Sequence, residues 1–219
     1  MQVRRDPAFL TTIVVLLAGA VFLFWTALQL DENLSNFQFG LLQIVYTYEE
    51  ALPLLALGIA LSRLSFWASV ISIGLFAFTF VAGQFLVTSL VPLLFPIDLV
   101  IGGIALVLPP PVNNWLVPVC SAVVGFIVSV LTAYGSPEGA GWQSFVIGSL
   151  LTSCWLILLA FLIGRAVRQT WLKIASPILG SWLTAAGLLL GATFAMPKPP
   201  PTPGMAVHPP AEIQQLPQP

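Results

Sequence analysis

Long apolar stretches recur along this chain, and they constrain its fold more than any other feature. A helix needs about 20 mostly apolar residues to cross the hydrocarbon of a bilayer, and seven stretches reach or approach that length. Each stretch therefore predicts a membrane-spanning α-helix. The predicted helices occupy residues 9–30, 41–61, 66–86, 93–108, 115–133, 143–163 and 174–195.

The composition agrees with this pattern. Of the 219 residues, 58% are hydrophobic and only 7% are charged, whereas soluble domains carry about 25% charged residues. The predicted fold is an all-α polytopic membrane protein with seven transmembrane helices, and its first partner is the lipid bilayer. The net charge is −1 and basic runs are absent, so the sequence predicts no binding to nucleic acid.

Basic residues predict the orientation, because cytoplasmic loops carry an excess of Lys and Arg. With seven crossings, six basic residues fall on one side and three acidic loop residues fall on the other. We therefore expect a cytoplasmic N-terminus and an external C-terminus in a bacterial inner membrane. The basic residues are Arg4, Arg5, Arg63, Arg165, Arg168 and Lys173, and the acidic residues are Asp31, Glu32 and Glu138.

The chain divides into three segments. Residues 1–36 hold the first helix and an outer loop; this helix is predicted to be retained, because its apolar part is longer than the usual 7–15 residues of a signal sequence and no clear cleavage site follows. Cleavage would leave six helices. Residues 37–195 form the predicted membrane domain. Residues 196–219 form a proline-rich tail, typical of polyproline II or disorder, which contains the only histidine, His208.

Two adjacent acids, Glu49 and Glu50, interrupt the second apolar stretch. An ionised side chain at the bilayer centre costs on the order of 2.5–3.5 kcal/mol or more, so such residues usually have a partner, a cavity or a function. On a continuous helix, Gln43, Tyr46 and Glu50 would share one face. At 1.5 Å per residue, the two glutamates would lie roughly 12–14 Å below the outer end of the helix.

Other polar groups are expected at the same outer side. Asp98 lies on the predicted fourth helix and Glu138 lies in an outer loop, so the two could join Glu49 and Glu50 in an acidic vestibule, with Tyr46 and Tyr48 lining it. Pro53 has no N–H to donate to the carbonyl four residues earlier, which predicts a kink and a free carbonyl oxygen. Oxygen ligands of this kind suit protons, Mg²⁺, Ca²⁺ or Mn²⁺, and a divalent metal ion is the only cofactor that the sequence indicates.

Residues 40–50 read GLLQIVYTYEE, and residues 134–139 read YGSPEG. These segments resemble the HupE/UreJ family of hydrogenase and urease accessory membrane proteins, which are proposed nickel or cobalt permeases. The family carries G-x-L-H-P-x-x-G-x-D-H on an early helix and H-G-H-x-H-G at the end of a later one. Relative to the first motif, Gln43 replaces the first histidine, Glu49 the aspartate and Glu50 the second histidine.

The resemblance covers residues 37–195 and implies a six-helix membrane domain that transports a metal ion. The family's nickel chemistry needs imidazole, and the predicted helices contain no histidine. The changed motif therefore leaves two readings open. In one, the carboxylates bind a different cation; in the other, transport has been lost and the scaffold has been kept.

Two functions of different classes follow. The first is a cation permease or cation-binding protein that uses Glu49, Glu50 and Asp98. The second is a non-transporting membrane subunit or assembly factor held in a larger complex by its helices. A purely structural reading also stays open, in which both glutamates are protonated and hydrogen-bonded to Gln43, Tyr46, Tyr48 or another helix. We predict no enzyme activity, because no nucleophile has a histidine base within the predicted helices.

Overall fold

The computed structural model describes residues 14, 16–21, 23, 25, 35–85, 91–109, 112–136, 141–166 and 169–196. Their regular secondary structure is entirely helical, which confirms the all-α prediction. Helical residues occur between positions 14 and 25, within the first predicted helix. Seven further helices follow: α1 (Asn36–Tyr46), α2 (Tyr48–Leu61), α3 (Phe66–Gly83), α4 (Val91–Val107), α5 (Asn113–Tyr134), α6 (Trp142–Ala166) and α7 (Gln169–Ala195).

Four of the described helices, α3, α5, α6 and α7, are long and apolar enough to cross a membrane. Helix α4 is apolar over Leu93–Val107 but falls short of that length, and α1 with α2 forms a bent pair that would count as a fifth crossing if it acts as one. The described residues thus contain four or five candidate crossings rather than seven. Most of the first predicted helix and the proline-rich tail lie outside the described residues.

The second predicted helix is broken, and the expectation of one continuous helix over residues 41–61 is wrong. The break lies at Thr47, whose ψ of 81° is outside the helical range, and the two halves meet at 75°. The Thr47 carbonyl accepts from the amides of Glu50 and Ala51 and so begins α2. Pro53 was expected to cause the kink, but it lies inside α2.

Helix α2 occupies the centre of the bundle. It packs against α4, α5 and α6, while α3 packs on α5, α7 on α4 and α1 on α6. The largest fully buried side chains come from several of these helices and form one core. They include Ile44, Leu57, Phe76, Phe80, Leu106, Val124, Phe145 and Ile157.

Small residues let α4 and α7 approach closely. A Cβ atom on Gly103 would collide with the Gly180 carbonyl and Thr184, and one on Gly187 would collide with the Pro96 carbonyl. Because glycine has no Cβ, the two backbones can lie in direct contact, as at many membrane helix interfaces. Gly180 and Gly187 of α7 therefore serve packing within the chain.

Buried hydroxyl groups link the helices by donating to backbone carbonyls. Ser121 Oγ donates to the Ser72 carbonyl at 2.7 Å and joins α5 to α3. Thr152 Oγ1 donates to the Leu41 carbonyl at 2.9 Å and joins α6 to α1. These bonds satisfy hydroxyl donors that could not reach water, and they hold the apolar helices in register.

Candidate carboxylate site

Glu50 lies in the first turn of α2, directly after the break, and only 4% of it is exposed. The break places it there, because α2 begins at Tyr48 and turns away from α1. The N-terminal end of a helix carries a partial positive charge that favours a carboxylate in the first turn. The local fold therefore provides some stabilisation for an acid at this depth.

The hydrogen bonding of Glu50 is weak. Thr132 Oγ1 of α5 lies 3.4 Å from Glu50 Oε2, but the same hydroxyl lies 2.7 Å from the carbonyl of Val128. A hydroxyl has one proton, and the shorter contact takes it. The Thr132 oxygen therefore keeps a lone pair beside the carboxylate, where it could act as a further oxygen ligand.

Asp98 of α4 is the second carboxyl group of the site. It is fully buried and close enough to Glu50 for the two groups to interact electrostatically. Four residues later, Gly102 packs against the backbone of Pro53, which holds α4 against α2 at this level. Neither Asp98 oxygen has a hydrogen-bond partner among the described residues. A buried polar group in this state costs free energy until something satisfies it.

Gln43 lies at the border of this group. Its side-chain amide contacts Gly135, the residue that caps the C-terminal end of α5 one turn after Thr132. Its Oε1 atom is buried and has no partner within the described part of the chain. We call Glu50, Asp98 and Thr132, with Gln43 at the border, the carboxylate cluster.

The other described residues of the predicted site are more exposed than Glu50 and Asp98. Tyr46 is 61% exposed, so the expected face shared by Gln43, Tyr46 and Glu50 does not exist, because the break at Thr47 ends the helical period between them. The depth of 12–14 Å assumed a straight helix and does not apply for the same reason. Glu49 is half-buried and interacts electrostatically with Glu50.

Two predicted site residues cannot be placed. Glu138 lies outside the described residues, as does the side chain of Tyr48. The missed member of the site is Thr132. Its signal was a polar residue near the end of an otherwise apolar helix, but a sequence cannot show that this residue lies opposite Glu50.

The donor set of the cluster consists of oxygen atoms. Among the described residues, no group of three His, Cys, Asp or Glu side chains is placed to hold a metal ion. A cation at the cluster would therefore take its ligands from two carboxylates, the Thr132 hydroxyl and a neutral carbonyl oxygen such as that of Gln43. Hard cations accept carboxylate, hydroxyl and carbonyl oxygens together.

In comparisons with known proteins, no family model, no curated protein and no solved structure matched this chain. The resemblance to the HupE/UreJ family stays a prediction from the two sequence segments that carry it.

Proposed function

We propose that this protein is a polytopic membrane protein that binds a cation at the carboxylate cluster and acts as a cation permease with a HupE/UreJ-like layout. In this proposal the bent pair α1–α2 and the short helix α4 are also membrane-embedded. Together with the first predicted helix, they complete seven crossings, with the N-terminus in the cytoplasm and the C-terminal tail outside.

The pairing of Glu50 with Asp98 carries the proposal. Two buried carboxyl groups that interact electrostatically repel each other when both are ionised, and an unpaired buried charge is expensive. A bound cation would remove the repulsion and would also satisfy the unpartnered oxygens of Asp98. Two neighbouring carboxyl groups do not stabilise an apolar core, whereas a cation site uses them as ligands.

The break in the helix pair gives independent support. Ion sites in membrane transporters are often built where a helix is interrupted, since the interruption exposes backbone groups and helix ends to a polar interior. Here the interruption at Thr47 lies three residues before Glu50. The interruption therefore lies beside the carboxylate cluster, which is the arrangement expected of such an ion site.

Exposed tryptophans support the membrane boundaries. Trp67, Trp115 and Trp171 lie at the starts of α3, α5 and α7, and all three are more than 60% exposed. Tryptophan prefers the interface between lipid and water. Their position at the basic end of the bundle, near Arg63 and Lys173, fits the cytoplasmic interface in the proposed orientation.

The donor set limits the cation. The only histidine, His208, is in the tail, and nickel sites generally use imidazole or thiolate ligands. Oxygen ligands favour Mg²⁺, Mn²⁺ or Ca²⁺. We therefore propose a hard divalent cation as the substrate and use Mn²⁺ as the probe, because it can be detected directly by electron paramagnetic resonance.

The test compares neighbouring glutamates in the full-length protein. Purified protein in vesicles is titrated with Mn²⁺, and uptake is measured with a dye trapped inside. Glu50→Gln and Asp98→Asn should each weaken binding by about tenfold or more, because each removes one charge at close range. Glu49→Gln is the comparison. Glu49 also interacts electrostatically with Glu50, but it is only half-buried, so water weakens its interaction with a cation and its loss should change binding less than about threefold. Absence of Mn²⁺ binding by the unaltered protein at millimolar concentration, or equal effects of all three variants, would contradict the proposal.

The exposed surface of α7 favours the second candidate function, a non-transporting subunit or assembly factor. Only 11% of its apolar membrane-type segment is buried within the chain. Trp182, Leu188 and Leu189 are all more than 60% exposed. Another membrane subunit could cover this surface in place of lipid. Purification in a mild detergent, with and without a metal chelator, distinguishes the two. A partner that stays bound at fixed stoichiometry, together with no metal binding, would favour the subunit.

A further inference from the structure

A basic cavity lies at the other end of α2, roughly 20 Å along the helix from Glu50. Its volume is about 680 Å³. Arg63, from the turn after α2, lines it together with Arg165 at the end of α6 and Lys173 near the start of α7. None of the described residues that line the cavity is acidic. The described lining therefore contributes three positive side chains and no negative one to balance them.

Arg63 is held in place by neutral acceptors. Its Nη1 atom donates to the Leu106 carbonyl at 2.7 Å and to Ser176 Oγ at 3.0 Å, and its Nη2 atom donates to the Leu108 carbonyl at 3.1 Å. These bonds fix the guanidinium but do not neutralise it. Burial lowers the pKa of Arg63 by desolvation, and an anion in the cavity would offset that effect. A guanidinium has five N–H groups, so donors remain for such an anion.

An apolar groove begins where the basic cavity ends. The groove has a volume of about 450 Å³ and shares Val107 and Pro109 with the cavity. It runs between α4 and α7, from Ser181 to Leu188 on the α7 side, which is about 10 Å along that helix. Because α4 ends and α7 begins at the basic end, the groove leads from the charged cavity towards the middle of the bundle.

We propose that the cavity and the groove form one binding site for an anionic phospholipid. The phosphate would contact Arg63, Arg165 and Lys173, and an acyl chain would lie in the groove between α4 and α7. Each half alone fits other ligands, since a soluble phosphate needs no apolar groove and a free hydrocarbon chain needs no cations. Their continuity through Val107 and Pro109 fits a molecule that carries a negative headgroup on an apolar chain.

The test measures which lipids stay with the protein. The full-length protein is reconstituted in vesicles of equal parts phosphatidylglycerol and phosphatidylcholine, extracted in mild detergent, and its bound lipids are quantified by mass spectrometry. The unaltered protein should retain several times more phosphatidylglycerol than phosphatidylcholine. Arg165→Gln/Lys173→Gln should reduce that enrichment, by roughly fivefold per cation at most. Both residues are exposed, so folding should not depend on them.

Two controls separate this site from general charge attraction and from binding of soluble phosphate. Arg4→Gln/Arg5→Gln removes the same charge from the N-terminal segment, which supplies none of the described residues that line the cavity, and should leave the enrichment unchanged. Ala185→Phe fills the groove and should also reduce the enrichment, whereas Ala186→Phe, one position away on α7 and outside the groove, should not.

Three outcomes would overturn the proposal. The first is a retained lipid ratio equal to that of the vesicles. The second is an equal loss in both charge variants, which would mean diffuse attraction to the membrane surface. The third is complete displacement of the lipid by millimolar inorganic phosphate together with no effect of Ala185→Phe, which would mean a site for a soluble anion.

Discussion

The ionisable side chains at the two ends of α2 differ in burial and in hydrogen bonding. At its start, Glu50 and the neighbouring Asp98 are both buried, and the oxygens of Asp98 have no hydrogen-bond partner among the described residues. Just beyond its end, Arg63 is only partly buried and donates to two carbonyls and a hydroxyl. Both placements suit the helix dipole, which favours acids at the N-terminal end and bases at the C-terminal end.

This difference indicates that Arg63 stabilises the fold, whereas Asp98 does not. The carbonyls around Arg63 would lack donors without it, so the bundle depends on that side chain. Nothing described around Asp98 depends on it in the same way. A side chain that the fold does not need, kept at a buried and costly position, is more readily explained by ligand binding than by packing.

The largest expected effect is at the basic end. Arg63→Leu should lower the free energy of unfolding by about 2–4 kcal/mol, because two carbonyls and one hydroxyl lose a charged donor at a partly buried site. Unfolding is followed by circular dichroism in mixed micelles of increasing SDS content. Arg165→Leu is the control and should cost less than about 1 kcal/mol, since Arg165 is exposed and its described contact is with the Phe161 ring. Equal effects would mean that the bonds of Arg63 add no stability.

The opposite sign is expected at the acidic end. Asp98→Leu should raise the free energy of unfolding by about 1–3 kcal/mol in the absence of divalent cations, because an apolar side chain replaces a buried carboxyl group that lacks hydrogen-bond partners. The same SDS titration, done with EDTA, measures this. Addition of Mn²⁺ should stabilise only the unaltered protein, and so reduce the difference in free energy of unfolding between it and the variant. A loss of stability in Asp98→Leu would mean that Asp98 has a structural partner. Asp98 would then stabilise the fold, as Arg63 does at the other end of α2.

Gly58 tests whether both ends depend on the same packing. It lies between them on α2, where an added Cβ would collide with the Ile157 carbonyl and the Ala160 side chain of α6. Gly58→Ala should therefore cost about 1–3 kcal/mol and weaken cation binding and lipid retention together. Gly74→Ala is the matched control, because nothing lies within 4 Å of its added Cβ, and it should be neutral or slightly stabilising. If Gly58→Ala changes only cation binding or only lipid retention, the sites at the two ends of α2 do not depend on the same packing.

The smallest expected effect concerns Thr132. Thr132→Val removes the hydroxyl beside Glu50 and should weaken Mn²⁺ binding by about fivefold, which corresponds to about 1 kcal/mol for one neutral oxygen contact. Mn²⁺ titration of the reconstituted protein provides the measurement. Thr79→Val removes a hydroxyl whose described hydrogen bonds are to carbonyls of its own helix, and binding should not change. A similar loss in both variants would remove Thr132 from the cluster.

The positions of most helices were predictable, because they depend on composition and on the length of the apolar stretches. Each of α3, α5, α6 and α7 coincides with an apolar stretch whose length alone predicts a helix. Gly180 and Gly187 of the last stretch contact α4, as small residues at membrane helix interfaces commonly do. The acids were recognisable as unusual for the same reason, since an ionisable residue in an apolar stretch stands out without any knowledge of its neighbours.

Other features depend on contacts between distant parts of the chain, which no local pattern contains. The break at Thr47 was missed because Pro53 is the stronger local signal, while the ends of α1 and α2 are held by packing against α6. The sequence by itself determined that acids lie among membrane-type helices and that basic residues gather at one side. Only the tertiary structure decided that Glu50 lies near Asp98 and that Arg63, Arg165 and Lys173 line one cavity, because helices separated by many residues meet through side-chain shape, and that shape exists only once the bundle has packed.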